Sequence, residues 1–171
     1  MKHLDISILW LVLLSSCTTS SQEDLPPIPA KSSEKGWLSI KAGQTHTCGI
    51  DVRGEVQCWG QSGFESHENP IEPPLGRFVA IDSGNAFSCA LSEGGRTTCW
   101  GDSSFGKASP PTEPLSLLSL GFEHACALDT DGEIVCWGID DQALFETPTG
   151  NYSHLASGYH CSCALSESEE M

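Results

Sequence analysis

Nine cysteines and a recurring His-x-Cys triplet are the residues of this 171-residue chain whose types and spacing could do chemistry. His46-Thr47-Cys48, His124-Ala125-Cys126 and His160-Cys161-Ser162-Cys163 carry side chains that zinc favours. A closed zinc site needs four ligands converging on one point, whereas these triplets are spread along the chain. At the matching place between the first two stands Phe87, which a shared metal site would not tolerate. The histidines therefore read as core residues and most cysteines as disulfide partners, with no metal or cofactor expected. There is no Gly-x-Ser-x-Gly elbow, phosphate loop or zinc-protease motif, and no carboxylate pair stands at a repeated spacing. No catalytic residue is assigned, and the expectation is a protein that is not an enzyme.

The elements that position these residues come from an internal repeat. Residues 37–60 read WLSIKAGQTHTCGIDVRGEVQCWG, residues 78–101 FVAIDSGNAFSCALSEGGRTTCWG, and residues 115–138 LSLLSLGFEHACALDTDGEIVCWG. A fourth unit starts at Tyr152 and stops before its second cysteine. With their connections the repeats occupy residues 37–77, 78–114, 115–151 and, incomplete, 152–171. Each unit reads as three strands, the second and third joined by a turn such as Thr130-Asp131-Gly132. Counting outward from Asp131 sets position 126 opposite 136, and likewise 48 opposite 58 and 89 opposite 99. Facing cysteines in a non-hydrogen-bonded antiparallel pair can bridge, so Cys48–Cys58, Cys89–Cys99 and Cys126–Cys136 are the expected disulfides.

Cys161 and Cys163 fall outside this pattern. Cys163 occupies the first-cysteine place without a second, and Cys161 stands where the first and third repeats have histidine. They are expected to be free or to join another chain. Cys-x-Cys can also be a redox motif, yet no lysine or arginine flanks it to activate a thiolate. Trp59, Trp100 and Trp137 could form an aromatic ligand platform, but their fixed place in the repeat makes them core between repeats.

Acidic residues outnumber basic ones by 23 to 8, a net charge of -15, which repels phosphate backbones and argues against nucleic-acid binding. At the start, a basic Met1-Lys2-His3 leads into the apolar run 6–14 (ISILWLVLL), too short to span a membrane but suited to a signal peptide. It continues into Leu14-Ser15-Ser16-Cys17, which resembles the lipobox of bacterial lipoproteins. The resemblance implies a signal peptide over residues 1–16, cleavage before Cys17 and acylation of that cysteine. Two or three acyl chains anchor stably to a membrane. Residues 17–36, rich in Ser, Thr, Pro and charge, read as a disordered tether. The expected location is exported and membrane-anchored, on the outer membrane or cell surface.

Gly43, His46, Cys48 and Cys58-Trp59-Gly60, with their equivalents in the next two units, resemble the regulator-of-chromosome-condensation repeat, in the short cysteine-containing form of secreted bacterial proteins. A WD-type propeller would need Trp-Asp where this chain has Trp-Gly. The resemblance covers residues 37 to about 166 and implies an all-β propeller of four-stranded antiparallel blades, typically about seven. Three repeats and a half make only a partial propeller of three to four blades, open or completed by oligomerisation. Either the chain is a fragment of a longer repeat protein, or two copies pair as a homodimer that completes the ring.

The expected function is a lipid-anchored, extracytoplasmic module that binds a protein or ligand. Variation concentrates in the connections 61–77, 102–113 and 139–151, which carry acidic residues, prolines and the aromatics Phe64, Phe105 and Phe145. A protein partner with a basic patch is the electrostatic complement. The resemblance also implies one remoter activity, guanine-nucleotide exchange, which an export signal and partial ring disfavour. A cell-envelope enzyme borrowing the scaffold is a further alternative, disfavoured by the lack of a recognisable site.

Overall fold

The computed structural model describes residues 36–61, 72–139 and 147–166. The signal peptide, Cys17 with residues 17–35 of the tether, Phe64 and Phe145 lie outside the described residues. Within them the chain is all β, as the repeat pattern requires. Three antiparallel sheets follow in chain order: β1 (Trp37–Ala42), β2 (His46–Asp51) and β3 (Val56–Gly60); β4 (Ala80–Ser83), β5 (Phe87–Leu91) and β6 (Thr97–Gly101); β7 (Leu115–Leu120), β8 (His124–Asp129) and β9 (Ile134–Gly138). A two-stranded sheet, β10 (Tyr152–Ser157) with β11 (Ser162–Ser166), completes the series. These sheets are four propeller blades.

Cys48 faces Cys58, Cys89 faces Cys99 and Cys126 faces Cys136, with Cα atoms 4.1, 4.0 and 4.1 Å apart, and each pair is a disulfide. The hairpin that sets this register is built by its first residue. Asp51 Oδ1 accepts from the amides of Arg53 and Glu55 at 2.8 and 3.0 Å, and Asp129 Oδ1 from those of Asp131 and Glu133 at 2.8 and 2.9 Å. The turn then needs a left-handed residue, supplied by Gly54, Gly95 and Gly132 at φ of 81, 76 and 83°. The carbonyls of these glycines accept from the amides of Phe78, Leu115 and Tyr152, stitching each turn to the start of the next blade.

Consecutive blades pack through the second strand of one and the first strand of the next: β2 on β4, β5 on β7, β8 on β10. Between the first two blades lie Cys48, Ile50, Phe78, Ile81, Ala90 and Trp100. Between the second and third lie Phe87, Cys89, Leu91, Leu115, Leu120, Ala125 and Trp137. Near the axis the blades come closer than side chains allow. A Cβ on Gly121 would stand 2.6 Å from the carbonyl oxygen of Gly158, and on Gly43 or Gly84 it would approach the next axial glycine still more closely. The recurring glycine is therefore a backbone-to-backbone contact between blades.

The boundaries alternate in chemistry. His46 Nε2 lies 2.7 Å from Ser88 Oγ of the second blade, which in turn lies 3.0 Å from Ser83 Oγ. His124 Nε2 lies 2.9 Å from Ser162 Oγ of the fourth blade, itself 2.9 Å from Ser157 Oγ. At the middle boundary the same three places hold Phe87, Leu120 and Ala125, all in the apolar core. A buried imidazole thus always meets a hydroxyl pair, and a buried phenyl ring always meets hydrocarbon.

One expectation is corrected. The family resemblance implied four-stranded blades, but the second repeat, whose connection is fully described, has three strands and a one-turn 3-10 segment at Ser104–Gly106. Phe105 and Gly106 have φ of 59 and 76°, which breaks any extended path. Downstream, Pro110, Pro111 and Pro114 lack the amides that a fourth strand would donate.

Candidate functional site

The connection from β6 to β7 is held by a buried cation. Lys107 is fully buried, and its Nζ lies 2.9 Å from Asp102 Oδ2 and 2.7 Å from Glu123 Oε2. The ammonium also sits 5.5 Å from the centre of the Phe87 ring, a cation–π contact. Asn85 Nδ2 donates to the other oxygen of Glu123 at 3.1 Å, and Trp137 Nε1 donates to the Lys107 carbonyl at 2.9 Å. Asp102 further accepts from the amide and hydroxyl of Ser104 at 2.9 and 2.6 Å. Burial pushes the Asp102 carboxyl up, but its hydrogen bonds from Ser104 and Lys107 outweigh that and hold it below the usual carboxylate value. Paired with two carboxylates, the buried charge is satisfied, and the loop is fixed at both ends.

What the clamp presents is Phe105. Its ring is exposed while its backbone is held at φ 59°, a left-handed conformation costing a non-glycine residue roughly 1 kcal/mol or more. Such a conformation persists only where the surroundings over-determine it, and the contacts of Asp102 and Lys107 do so.

This loop belongs to one end of the blade array. The amide of Asp102 donates to Ala86 O at 2.8 Å, and those of Gln61 and Ile139 donate to Thr45 O and Glu123 O at 2.9 Å each. All three connections thus leave their blades beside the turns that carry the axial glycines. The residue after each axial glycine, in order Gln44, Asn85, Phe122 and Tyr159, lines an open axial pocket of about 210 Å³. The Phe122 and Tyr159 rings stack with centroids 4.0 Å apart and planes 20° from parallel, and His160 meets Tyr159 edge-on at 4.3 Å. This end combines exposed aromatic faces, amide side chains and a rigid loop, a composition that suits recognition.

The residues singled out in the sequence are placed as follows. His46 and His124 are buried on separate blades, each bonded to a serine of the next, while His160 is exposed. Among the described residues no cluster of three His, Cys, Asp or Glu side chains could hold a metal ion. Trp100 and Trp137 are buried between blades, and Trp59 is half-buried beside Trp37. Cys161 and Cys163 are exposed free thiols. Among the described residues no helix is long and apolar enough to cross a membrane. Sequence reasoning missed Lys107, Asn85, Phe122 and Tyr159. The last three could have been found as the position that varies directly after an invariant repeat glycine.

A sequence profile of the regulator of chromosome condensation (RCC1) repeat matches residues 37–65, 78–107 and 116–142, half of the chain. No curated protein sequence matches. Among solved structures, the chain is similar to the CRINKLY WD40 ectodomain of the Arabidopsis thaliana receptor kinase ACR4, at 27% identity and a TM-score of 0.64, over 79% of this chain and 47% of that one. It is also similar to the entire ectodomain of the Physcomitrella patens receptor kinase CR4, at 25% identity and a TM-score of 0.67, over 84% and 41%. Yeast RCC1 (Prp20), solved bound to Kap60, shares the fold at 16% identity and a TM-score of 0.66, over 81% and 43%. The chain spans less than half the length of each of these structures.

Proposed function

The chain belongs to the regulator of chromosome condensation (RCC1) repeat family, and from that premise we propose that it is a lipid-anchored, extracytoplasmic binding module for a protein or peptide with a basic patch. The observation that carries this reading is the Lys107 clamp, which holds Phe105 outward at the end of the array that also bears the Phe122–Tyr159 stack. Rigid, exposed aromatic rings are the side chains that most often dominate binding energy, because little entropy is lost when they dock. The net charge of -15 favours a basic complement.

Location outside the cytoplasm is supported by the three disulfides, which suit an oxidising compartment. The two plant structures at 25% identity or above are themselves ectodomains. The anchor rests on Cys17 within Leu14-Ser15-Ser16-Cys17. Its test is labelling of the full chain with an alkyne fatty acid in a bacterium with two membranes. Label should enter the wild type and vanish in Cys17→Ser, and label that persists there removes the anchor from the reading.

For binding, a photo-crosslinking amino acid placed at Phe105 or Tyr159 of the full chain on intact cells should capture a discrete partner. The same group at Ser153, away from the axial turns, should not. Capture only at Ser153, or at none of the three, defeats the reading.

A further inference from the structure

Complete blade boundaries inside the chain define two complementary faces, and among the described residues one of each is uncovered. The face turned outward by the fourth blade is led by Leu165, 64% exposed, although its equivalents Ile50, Leu91 and Leu128 are 0, 2 and 3% exposed. The face turned outward by the first blade is led by Ile40 and Trp37, 52% and 39% exposed, against 3% for Ile81 and 6% for Phe78 at the same places in the second blade. Trp59, half-buried, shares that face with Trp37 at a ring distance of 5.6 Å, whereas Trp100 and Trp137 are 9% and 8% exposed. Where a boundary is complete, the residues equivalent to Ile40, Trp37 and Trp59 pack on those equivalent to Cys163 and Leu165: Ile81, Phe78 and Trp100 on Cys48 and Ile50.

We propose that a second copy of this chain covers these faces, docking its first blade on the fourth blade of the other copy as one more blade boundary. The positions that make a boundary polar or apolar are compatible. The fourth blade offers Cys161 where others offer an imidazole or phenyl ring, and the first blade offers Ala42 and Thr47 where others offer Ser83 and Ser88 or Leu120 and Ala125. A thiol facing a methyl and a hydroxyl leaves no imidazole stranded and buries no unmatched pair of hydroxyls. The contact is heterologous, since the two faces differ, so each copy carries both halves. It goes beyond the binding reading, which concerns the axial turns and the Phe105 loop, and either can fail alone.

The complete boundaries also supply the test. Cys48 Sγ lies 3.5 Å from Ser88 Oγ, and Cys126 Sγ lies 3.5 Å from Ser162 Oγ, both across a boundary. Thr47 occupies the serine place on the first blade and Cys163 the cysteine place on the fourth, so the two should meet across copies. The full chain with Thr47→Cys and Cys161→Ser is exposed to oxidised glutathione, which takes the two electrons and two protons as the intermolecular S–S bond forms. On a non-reducing gel a band of twice the chain mass is expected, absent when Thr47 is kept and absent when Cys163→Ser is added. No doubled band, or one that survives Cys163→Ser, overturns the proposal. Independently of any folding effect of these changes, the unaltered full chain in detergent should sediment with the protein mass of more than one copy. The exposed change Leu165→Asp should reduce that mass to a single copy, and a single copy in the unaltered chain overturns the proposal equally.

Discussion

The imidazole of His46 is hydrogen-bonded across a blade boundary to the hydroxyl of Ser88, Nε2 and Oγ lying 2.7 Å apart with both side chains buried. Ser88 Oγ also reaches Ser83 Oγ, so the histidine is one member of a polar trio that the next boundary replaces with Phe87, Leu120 and Ala125. Two self-consistent ways of building the same contact therefore exist in one chain. His46→Phe alone should cost about 1–3 kcal/mol, because it leaves hydroxyls against a ring. Adding Ser83→Leu and Ser88→Ala should recover all but about 1 kcal/mol of that loss. Denaturant midpoints of the single and triple variants decide it; a triple variant weaker than the single one refutes the matched-trio account.

Acid should loosen the polar boundaries. Burial holds the His46 imidazole below its ordinary value of 6.5, and burial together with the nearby charge of His160 does the same for His124. Both bind a proton less readily in the fold than in the unfolded chain, which takes up protons from about pH 6.5 downward, so stability is full above that value and falls as pH drops through it toward the lowered folded values. Asp82 has the opposite sign: burial holds its carboxyl above the ordinary 3.8 despite the Leu120 amide and the Lys41 charge. The unfolding midpoint should be lower at pH 5.5 than at 7.5, and the triple variant, which keeps Asp82, should show a smaller drop.

The axial glycines should tolerate nothing larger. In Gly84→Ala the new methyl would run into Gly121 O and the Phe87 ring. Backbone on one side and a buried ring on the other cannot yield cheaply, so a loss of about 2–3 kcal/mol is expected. Gly94→Ala, whose methyl would meet nothing within 4 Å, is the control and should change the thermal midpoint little.

Each disulfide closes a loop across 10 residues. Replacing Cys89 and Cys99 together with serine should cost roughly 2–3 kcal/mol by the entropy of the released chain. Calorimetry with and without reductant gives the comparison, and a variant as stable as the parent would show that packing alone fixes the hairpin.

Lys107→Met should strand Asp102 and Glu123 side by side. Both carboxylates are partly solvated, which softens the penalty to about 1–3 kcal/mol. The sharper readout is local: proteolysis near Phe105 should speed up far more than global unfolding does. Equal acceleration of both would mean that the clamp supports the fold rather than the loop.

Much of the fold was legible because it is local. The turn glycine and the 10-residue cysteine spacing fix the hairpin register with no help from the rest of the chain. The axial glycines were visible as a repeat, but their reason, the carbonyl of the following blade, lies about 37–41 residues away along the chain. Lys107 was invisible for a related cause. A lysine among serines and prolines reads as solvated, and its burial depends on Glu123, which reaches it only once the third blade is in place. The alternating boundary chemistry was present in the aligned repeats, yet it has meaning only when one blade's histidine is known to face the next blade's serine.

Because neighbouring blades touch through glycine backbone at the axis, the pitch of the array does not depend on any side chain there. Gln44, Asn85, Phe122 and Tyr159 are thus mounted like type in a fixed frame, spaced by the backbone of the glycines that precede them. A lineage could rewrite what this end recognises by single substitutions at four places, while the scaffold that spaces them stays untouched.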